Sequence, residues 1–155
     1  MTHKKRIVII DDHPLFREGL KTILGRSNKY EVAGEAGSAS QGLKMTVELK
    51  PDLVLMDMSL PDRNGIELTR DVLASCPGTR ILIVSVHSKI DYIVRAFQVG
   101  AAGYLAKESA ADMLLQGIDH VLKGDYFMGH EGLPPGGQKA RRTAGQRKAV
   151  IRFRL

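Results

Sequence analysis

Four short apolar runs, each followed at once by a polar residue, constrain the fold of this chain most. Residues 7–10 lead into Asp11 and Asp12, 53–56 into Asp57, 81–84 into Ser85, and 103–106 into Lys107. Such runs, alternating with helical patterns, predict buried strands of a parallel sheet joined by crossover helices. Ligands of open parallel sheets bind at the carboxyl ends of the strands. We therefore expect three carboxylates, a hydroxyl and an ammonium group in one pocket, which suits a divalent cation and a phosphoryl group.

Helical patterns and one weaker strand fill the segments between these runs. Pro14 suits a first helical turn, and residues 30–36 predict an exposed edge strand because glutamates and a glycine dilute their apolar pattern. The chain thus predicts five alternating strand and helix units with right-handed crossovers. The predicted apolar faces of the first and fourth helices are Leu15, Phe16, Leu20, Ile23 and Leu24, and Ile90, Ile93, Val94 and Phe97. The predicted helix caps are Ser38, Asn64, Ser88 and Ser109, and the predicted helix ends are Gly100 and Gly124.

Length and composition favour one globular domain. The chain has 155 residues, of which 43% are hydrophobic, enough for a core of two or three layers. A single cysteine, Cys76, excludes an intramolecular disulfide, and we expect it to be a buried or incidental thiol and not a nucleophile. No apolar run reaches the roughly 18 residues of a membrane span, and residues 4–6 precede only four apolar residues, which is too few for a signal peptide. We expect a cytoplasmic protein without membrane association.

The net charge of +6 is concentrated at the carboxyl end. Residues 129–155 hold seven basic residues against one acidic residue, whereas residues 1–128 hold sixteen of each sign. Glycine and proline crowd residues 129–137, and the basic stretch that follows lacks helical apolar spacing. We expect a domain over residues 1–128, followed by a flexible basic tail over residues 129–155.

The predicted pocket has the residue types that phosphoryl transfer requires. Magnesium, or manganese in its place, prefers oxygen ligands, and Asp12 and Asp57 are the natural direct ligands. Asp57 is also the best candidate nucleophile, because a carboxylate can attack a phosphoryl group and form an acyl phosphate. Lys107 and the hydroxyl of Ser85 would offset the negative charge of the transferred group.

These residues stand in motifs of a known family. The sequence reads Asp-Asp-His-Pro-Leu-Phe-Arg-Glu-Gly-Leu over residues 11–20, Leu-Met-Asp-Met-Ser-Leu-Pro over 55–61, and Gly-Tyr-Leu-Ala-Lys over 103–107, with Ser85 between the last two. In this order and spacing, residues 6–128 resemble the receiver domain of a bacterial two-component response regulator. The opening motif, with its arginine and glycine, resembles the NarL/FixJ, or LuxR-type, branch.

The resemblance implies a flavodoxin-like (CheY-like), doubly wound α/β fold with five parallel strands in the order 2-1-3-4-5 and five helices. It implies that Asp57 accepts a phosphoryl group from a sensor histidine kinase in a phosphorelay. Asp12, Asp57 and the backbone carbonyl of Ser59 would bind the cation, with Asp11 beside them. Ser85 and Tyr104 would form the switch pair, in which the hydroxyl moves toward the phosphoryl group and the ring turns inward.

The resemblance also implies partners and a biological setting. The domain would homodimerise on phosphorylation and would not be an enzyme beyond gaining and losing its own phosphoryl group. Members of this branch usually continue into a helix-turn-helix domain that regulates transcription, but only 27 residues follow position 128. Because independent domains need about 50 residues or more, we expect no folded output domain here, and DNA binding only where a native output domain exists. Glu108 stands where many receivers have a cis proline, so a trans bond is expected there.

Two other function classes stay open at this stage. A magnesium-dependent aspartyl-phosphate phosphohydrolase would share the nucleophile and fold class, but such enzymes carry an aspartate two positions after it, where this chain has Ser59. The basic tail alternatively suggests non-specific nucleic-acid binding with a steep salt dependence. A flavin or dinucleotide site is disfavoured, because Asp11 and Asp12 would repel phosphate. The five histidines show no metal-ligand spacing, and only His87 lies near the predicted pocket, where it could control the access of water.

Overall fold

The structure, a computed structural model, describes residues 3–87, 89–131, 139–142 and 148–152. These residues form eight strands and five α-helices, and a 3₁₀ turn over Lys107–Ser109 precedes the last helix. The strands are β1 Lys5–Ile10, β2 Tyr30–Ala36, β3 Leu53–Met56, β4 Arg80–Ser85, β5 Gly103–Ala106, β6 Phe127–Glu131, β7 Lys139–Arg142 and β8 Lys148–Arg152. The helices are α1 Pro14–Leu24, α2 Ala39–Leu49, α3 Gly65–Ser75, α4 Ile90–Gln98 and α5 Ala110–Leu122.

The strands form one sheet in the order β2-β1-β3-β4-β5-β6-β8-β7. The predicted order 2-1-3-4-5 is confirmed, and these five strands are parallel, with β2 at one edge. Ile10 of β1 pairs with Met56 of β3, which pairs in turn with Ile83 of β4. This register brings the residues that follow β1 and β3 to the same edge of the sheet, which positions the site described below.

The sheet continues beyond the five strands that the sequence predicted. Strand β6 pairs in parallel with β5, so the predicted domain end at residue 128 falls inside a strand. The reason is packing: Phe127 is fully buried, and glycines surround its ring. A Cβ atom at Gly117 or at Gly129 would lie 2.8 Å from Cε2 of Phe127, closer than van der Waals contact allows.

Strands β7 and β8 lie within residues 129–155, which the sequence predicted to be a flexible basic tail. They pair with each other, and β8 pairs with β6, in both cases antiparallel. The local sequence is consistent with β8, because its β-branched residues Val150 and Ile151 favour extended structure. The flexibility of residues 129–155 as a whole stays a prediction.

Helices cover both faces of the sheet and produce two apolar cores. Helices α1 and α5 pack on one face, and α2, α3 and α4 on the other. Alternate residues of each strand therefore enter opposite cores, as expected for strands buried on both sides. The strand residues of the first core include Ile7, Ile9, Leu55, Leu82 and Leu105, and those of the second include Val8, Ile10, Val54, Met56 and Ile83.

Three residues of the predicted apolar faces are exposed instead. Leu15 in the first turn of α1 is 88% exposed, and Ile90 and Val94 of α4 are 64% and 44% exposed. Helix α4 buries Ile93, Ala96 and Phe97, a stripe with spacing i, i+3, i+4, and Val94 lies about 100° around the helix from Ile93. The two exposed residues of α4 thus present apolar surface to solvent.

Two of the four predicted caps are confirmed. The Ser38 hydroxyl accepts a bond from the Gln41 amide at 3.3 Å, and the Asn64 side chain accepts one from the Glu67 amide at 2.8 Å. The predicted end of α4 is also confirmed, because Gly100 follows it with a φ of +112°, which glycine adopts without strain. Cys76, directly after α3, is buried as predicted.

The other two predicted caps differ. The N-cap position of α4 is Lys89, and Ser88 lies outside the described residues. Ser109 does occupy the N-cap position of α5, but its hydroxyl makes no capping bond, because the preceding 3₁₀ turn already gives Ser109 a helical backbone. All described peptide bonds are trans, including the one between Lys107 and Glu108. Among the described residues, no helix is long and apolar enough to cross a bilayer.

Candidate functional site

The candidate site lies at the carboxyl edge of the sheet, where β1 and β3 end side by side. The Asp57 amide donates to the carbonyl of Ile10 at 2.8 Å, and the Asp11 amide donates to the carbonyl of Ala36 at 3.0 Å. These backbone bonds extend the strand pairing by one residue at each strand end. The carboxylates of Asp11 and Asp57 consequently enter the same pocket.

Asp57 is an almost fully buried carboxylate, with 3% of its surface exposed. Burial is the main cause that raises its pKa above the ordinary value, and the negative charge of Asp11 adds to this increase. Lys107 and the Ser59 amide lower the pKa in part, by charge and by hydrogen bonding. The environment therefore disfavours the ionised form of Asp57. A positive charge nearby would stabilise that form.

Lys107 supplies positive charge to both buried carboxylates. Its Nζ atom lies 2.9 Å from Oδ2 of Asp11 and 3.4 Å from Oδ2 of Asp57. The same ammonium group lies 4.4 Å from the centre of the Phe16 ring, a cation–π contact. Helix α1 and the 3₁₀ turn after β5 thus hold the lysine head between the acids, as the strand-end pattern predicted.

Asp11, Asp12, His13 and Asp57 form the metal-binding candidate among the described residues. One ligand atom from each lies within 4.8 Å of the others. Oδ1 of Asp12 is buried and makes no hydrogen bond within the described part of the chain, so it has a lone pair available for a cation. The donors are mostly carboxylate oxygens, which suit a hard cation such as Mg²⁺ or Mn²⁺. The residues present therefore fit the cation that the fold family implies.

His13 lies among the three acids, and the sequence analysis assigned it no role there. Its Nδ1 atom lies 3.1 Å from Oδ1 of Asp11, 3.2 Å from Oδ1 of Asp12 and 3.9 Å from Oδ2 of Asp57. The contact with Asp12 has the distance of an ion pair but not the geometry of a hydrogen bond. The available signal was its position directly after two acids at a strand end, which the search for metal-ligand spacing among histidines overlooked.

Ser59 and His87 connect two loops at the pocket rim. The Ser59 amide lies 3.4 Å from Oδ1 of Asp57, and its hydroxyl bonds Nε2 of His87 at 2.8 Å. The backbone amide of His87 in turn donates to the Ser85 hydroxyl at 3.0 Å. His87 therefore lies at the rim, as the sequence analysis expected, and links the loop after β3 to the end of β4.

The predicted switch pair is buried. Ser85 has no exposed surface, and the Tyr104 ring is 1% exposed, so the ring lies inside the molecule. The Tyr104 hydroxyl donates a short hydrogen bond to the backbone carbonyl of His87. Burial raises the pKa of Tyr104, and a bond with Ser85 partly opposes that increase. Both side chains are thus coupled to the same short loop after β4.

Two further residues support the backbone around the acids. A Cβ atom at Gly65 would overlap the Asp57 carbonyl oxygen and lie 2.9 Å from Cα of Met58, so only glycine fits beside the loop after β3. The Arg17 guanidinium donates to the Asp11 carbonyl at 2.5 Å and to Glu35 at 2.9 Å. The arginine thereby ties the end of β1 to β2.

Comparisons with known proteins agree with this geometry. Residues 7–119 match the family model for the response regulator receiver domain. The transcriptional regulatory protein DegU of Brevibacillus brevis is 37% identical over 81% of this chain and 53% of its own length. Response regulator GacA of Pseudomonas aeruginosa is 35% identical over 79% of this chain and 58% of its own length.

Solved structures give the same result. A LuxR-family two-component response regulator from Aurantimonas sp. SI85-9A1 superposes with a TM-score of 0.75 and 38% identity, covering 79% of this chain and 87% of the other. The signal receiver domain of NarL from Mycobacterium tuberculosis superposes with a TM-score of 0.75 and 34% identity, covering 79% and 98%. The chain spans little more than half the length of the curated relatives that it matches. It belongs to the response regulator receiver domain family of two-component systems, in the NarL/LuxR-type branch.

Proposed function

We propose that Asp57 accepts a phosphoryl group from a phosphorylated histidine of a sensor kinase. The observation that carries this proposal is a buried carboxylate with a raised pKa, held 3.4 Å from the Lys107 ammonium and within an acidic cluster that could hold a cation. Asp12, Asp57 and the Ser59 carbonyl would hold Mg²⁺ or Mn²⁺, with Asp11 beside them. When bound, the cation would neutralise the negative charge of the acids and of the phosphoryl oxygens.

The transfer is a displacement at phosphorus. A carboxylate oxygen of Asp57 attacks and forms an O–P bond, while the P–N bond of the donor breaks and its electron pair stays on the imidazole nitrogen. Lys107 faces the reacting carboxylate and stabilises the additional negative charge. The product is an acyl phosphate on Asp57.

The switch would follow from the hydrogen bonds of Ser85. Its hydroxyl already accepts a bond from the His87 amide, and its own proton can be donated to a phosphoryl oxygen. Movement of Ser85 toward that oxygen would pull on the loop that also accepts the Tyr104 hydroxyl bond. Phosphorylation would thus shift the population of the loop by bonding more strongly in one arrangement.

The proposed partners follow from the family. A sensor histidine kinase would supply the phosphoryl group, and phosphorylation would favour a homodimer. Transcription regulation is proposed for the whole protein because relatives are named as transcriptional regulators, and regulatory DNA binding would require an output domain. Nucleic-acid binding by the basic tail and a cytoplasmic location stay predictions.

A phosphohydrolase is the alternative. The position two residues after Asp57 is Ser59, which has no carboxyl group to protonate a leaving group. We therefore propose that the chain gains and loses its own phosphoryl group without turning over phosphate esters.

Intact-mass analysis of the full chain tests the proposal. With acetyl phosphate and Mg²⁺, we expect one added phosphoryl group, no addition to Asp57→Asn, and no addition in the presence of a chelator. The wild type should not release nitrophenol from p-nitrophenyl phosphate. Equal labelling of wild type and Asp57→Asn would overturn the assignment of Asp57, and sustained turnover of the ester would favour the phosphohydrolase.

A further inference from the structure

Asp62 makes an unexpected contact between the loop after β3 and the start of α2. Its Oδ1 accepts a bond from the Ala39 amide at 2.8 Å, and its Oδ2 accepts one from the Ser40 amide at 2.9 Å. These partners lie 23 and 22 residues earlier in the chain. The two bonds lower the pKa of Asp62, so the side chain is ionised and bonds both amides by charge-assisted contacts.

The helix cannot satisfy these two amides by itself. The first turn of an α-helix has four amides without intrahelical partners. In α2 the first intrahelical bond joins the Gly42 amide to the carbonyl of the cap residue Ser38 at 2.9 Å, and the Ser38 hydroxyl caps the Gln41 amide at 3.3 Å. Asp62 accepts from the Ala39 and Ser40 amides, so a residue of the distant loop caps the first turn of α2 together with Ser38.

The loop that carries Asp62 also carries Ser59, the proposed backbone ligand of the cation. Ser59 and Asn64 form an antiparallel bridge at the base of this loop, and the Gly65 amide donates to the Met58 carbonyl at 2.7 Å. The base is therefore closed by backbone bonds. Its exposed tip is joined to α2 by Asp62, whereas the neighbouring Arg63 pairs with Asp71 of α3 at 2.6 Å.

We propose that Asp62 is a positioning residue that fastens the acceptor loop, residues 59–64, to α2 and so presets the Ser59 carbonyl for the cation. This inference rests on the proposed function, since it concerns the same site. Mg²⁺ demands near-ideal octahedral geometry, so a small displacement of one ligand weakens binding. Loss of groups that orient metal ligands commonly lowers metal affinity about tenfold or more.

Mg²⁺ titration by calorimetry on the full chain provides the first test, because it needs no phosphoryl transfer. We expect Asp62→Ala to weaken Mg²⁺ binding roughly tenfold. Asp62→Asn keeps one acceptor oxygen and should lie between this variant and wild type. Glu48→Gln, which removes an exposed acid from the other end of α2, serves as the matched control and should bind Mg²⁺ as wild type does.

The second test removes the contact from the helix side. Ser40→Pro deletes one donor amide in the first helical turn, where proline is tolerated, and leaves Asp62 in place. If the contact acts through this bond, Ser40→Pro should also weaken Mg²⁺ binding, and the double variant with Asp62→Ala should be no weaker than Asp62→Ala alone. Amide exchange should accelerate in residues 59–64 of both single variants but not across the sheet.

The outcomes separate this inference from the proposed function. At saturating Mg²⁺, Asp62→Ala should still accept a phosphoryl group on Asp57, since the nucleophile is intact. Mg²⁺ affinity equal to wild type in both Asp62→Ala and Ser40→Pro would overturn the positioning role while leaving phosphorylation standing. Failure of wild type to be labelled at Asp57 would instead overturn the proposed function, whatever the affinities show. If Asp62→Ala does not fold, Asp62→Asn and Ser40→Pro decide.

Discussion

At the scale of single residues, the site places carboxylates in a buried pocket, where loss of solvent disfavours their ionised forms. Asp11 and Asp57 are both nearly buried, and one ammonium group contacts the two. An ionised Asp57 is therefore costly to the fold, and the same cost makes it receptive to a cation and to a phosphoryl group. At this position, the carboxylate that favours ligand binding lowers the stability of the fold without the ligand.

Replacing Asp57 by asparagine should consequently stabilise the fold. Burial and the charge of Asp11 raise the pKa of Asp57 in the folded state, so its ionised form opposes folding. This opposition is complete above the folded-state pKa and disappears as the pH falls below the unfolded-state pKa. We expect Asp57→Asn to melt higher than wild type at pH 7 in a chelator, and the difference to shrink on acidification. A lower melting temperature at pH 7 would contradict this account.

Lys107 should control the pH at which Asp57 becomes reactive. Its charge and its hydrogen bond lower the pKa of Asp57, so Lys107→Ala should raise that pKa further. We expect the pH profile of Asp57 labelling by acetyl phosphate to move to higher pH in Lys107→Ala. Lys44→Ala, at an exposed position of α2, is the control. A profile that loses amplitude without moving would show that Lys107 acts on the phosphoryl group alone.

At the scale of elements, β6 is an integral strand of the domain. Phe127 is fully buried in the core under α1 and α5, and Gly117 of α5 has no side chain where the ring lies. β6 also covers the edge of β5. The sequence did not predict this sixth parallel strand.

Truncating this ring should measure the contribution of β6. Phe127→Ala leaves a cavity in a packed core, and such changes cost about 3–5 kcal/mol. We expect a loss of this size in the free energy of unfolding from urea denaturation of the full chain. Leu15→Ala, which removes an exposed side chain, should change it by less than about 0.5 kcal/mol. A loss for Phe127→Ala as small as that for Leu15→Ala would mean that β6 is not packed as described.

At the scale of the whole molecule, a short series of contacts connects the acceptor site to the exposed apolar residues of α4. Asp57 contacts the Ser59 loop, Ser59 bonds His87, and α4 with its exposed Ile90 and Val94 begins shortly after His87. A phosphoryl group that moves this loop would move the start of α4. The exposed apolar residues of α4 are then the surface on which a state-dependent contact can form.

Dimerisation should therefore depend on both the site and α4. We expect a beryllofluoride mimic with Mg²⁺ to raise the dimer fraction of the full chain in sedimentation velocity, because the mimic favours the arrangement that phosphorylation favours. Ile90→Glu should reduce that gain by placing a charge on the apolar surface, whereas Leu15→Glu on α1 should not. Identical mass distributions with and without the mimic would contradict the proposal, and an equal loss in both variants would place the contact elsewhere.

The sequence by itself determined the strand ends and the chemistry that stands on them. Asp11, Asp57 and Lys107 could be assigned to one pocket because parallel strands that end in polar residues bring those residues to one edge. The caps Ser38 and Asn64 were equally predictable, since a cap bonds an amide only three residues away. Features that depend on neighbouring residues, or on the pattern along one strand, can be predicted from the sequence alone.

Only the tertiary structure decided the contacts between distant segments. The contact of the Lys107 ammonium with the Phe16 ring and the bonds from α2 to Asp62 join residues that no local pattern connects. Strand β6 was missed for the same reason, because Phe127 is buried only where Gly117 leaves space for it. Such contacts depend on how helices pack on the sheet and on which loops then meet, and periodicity specifies which face of an element is apolar but not what that face will touch.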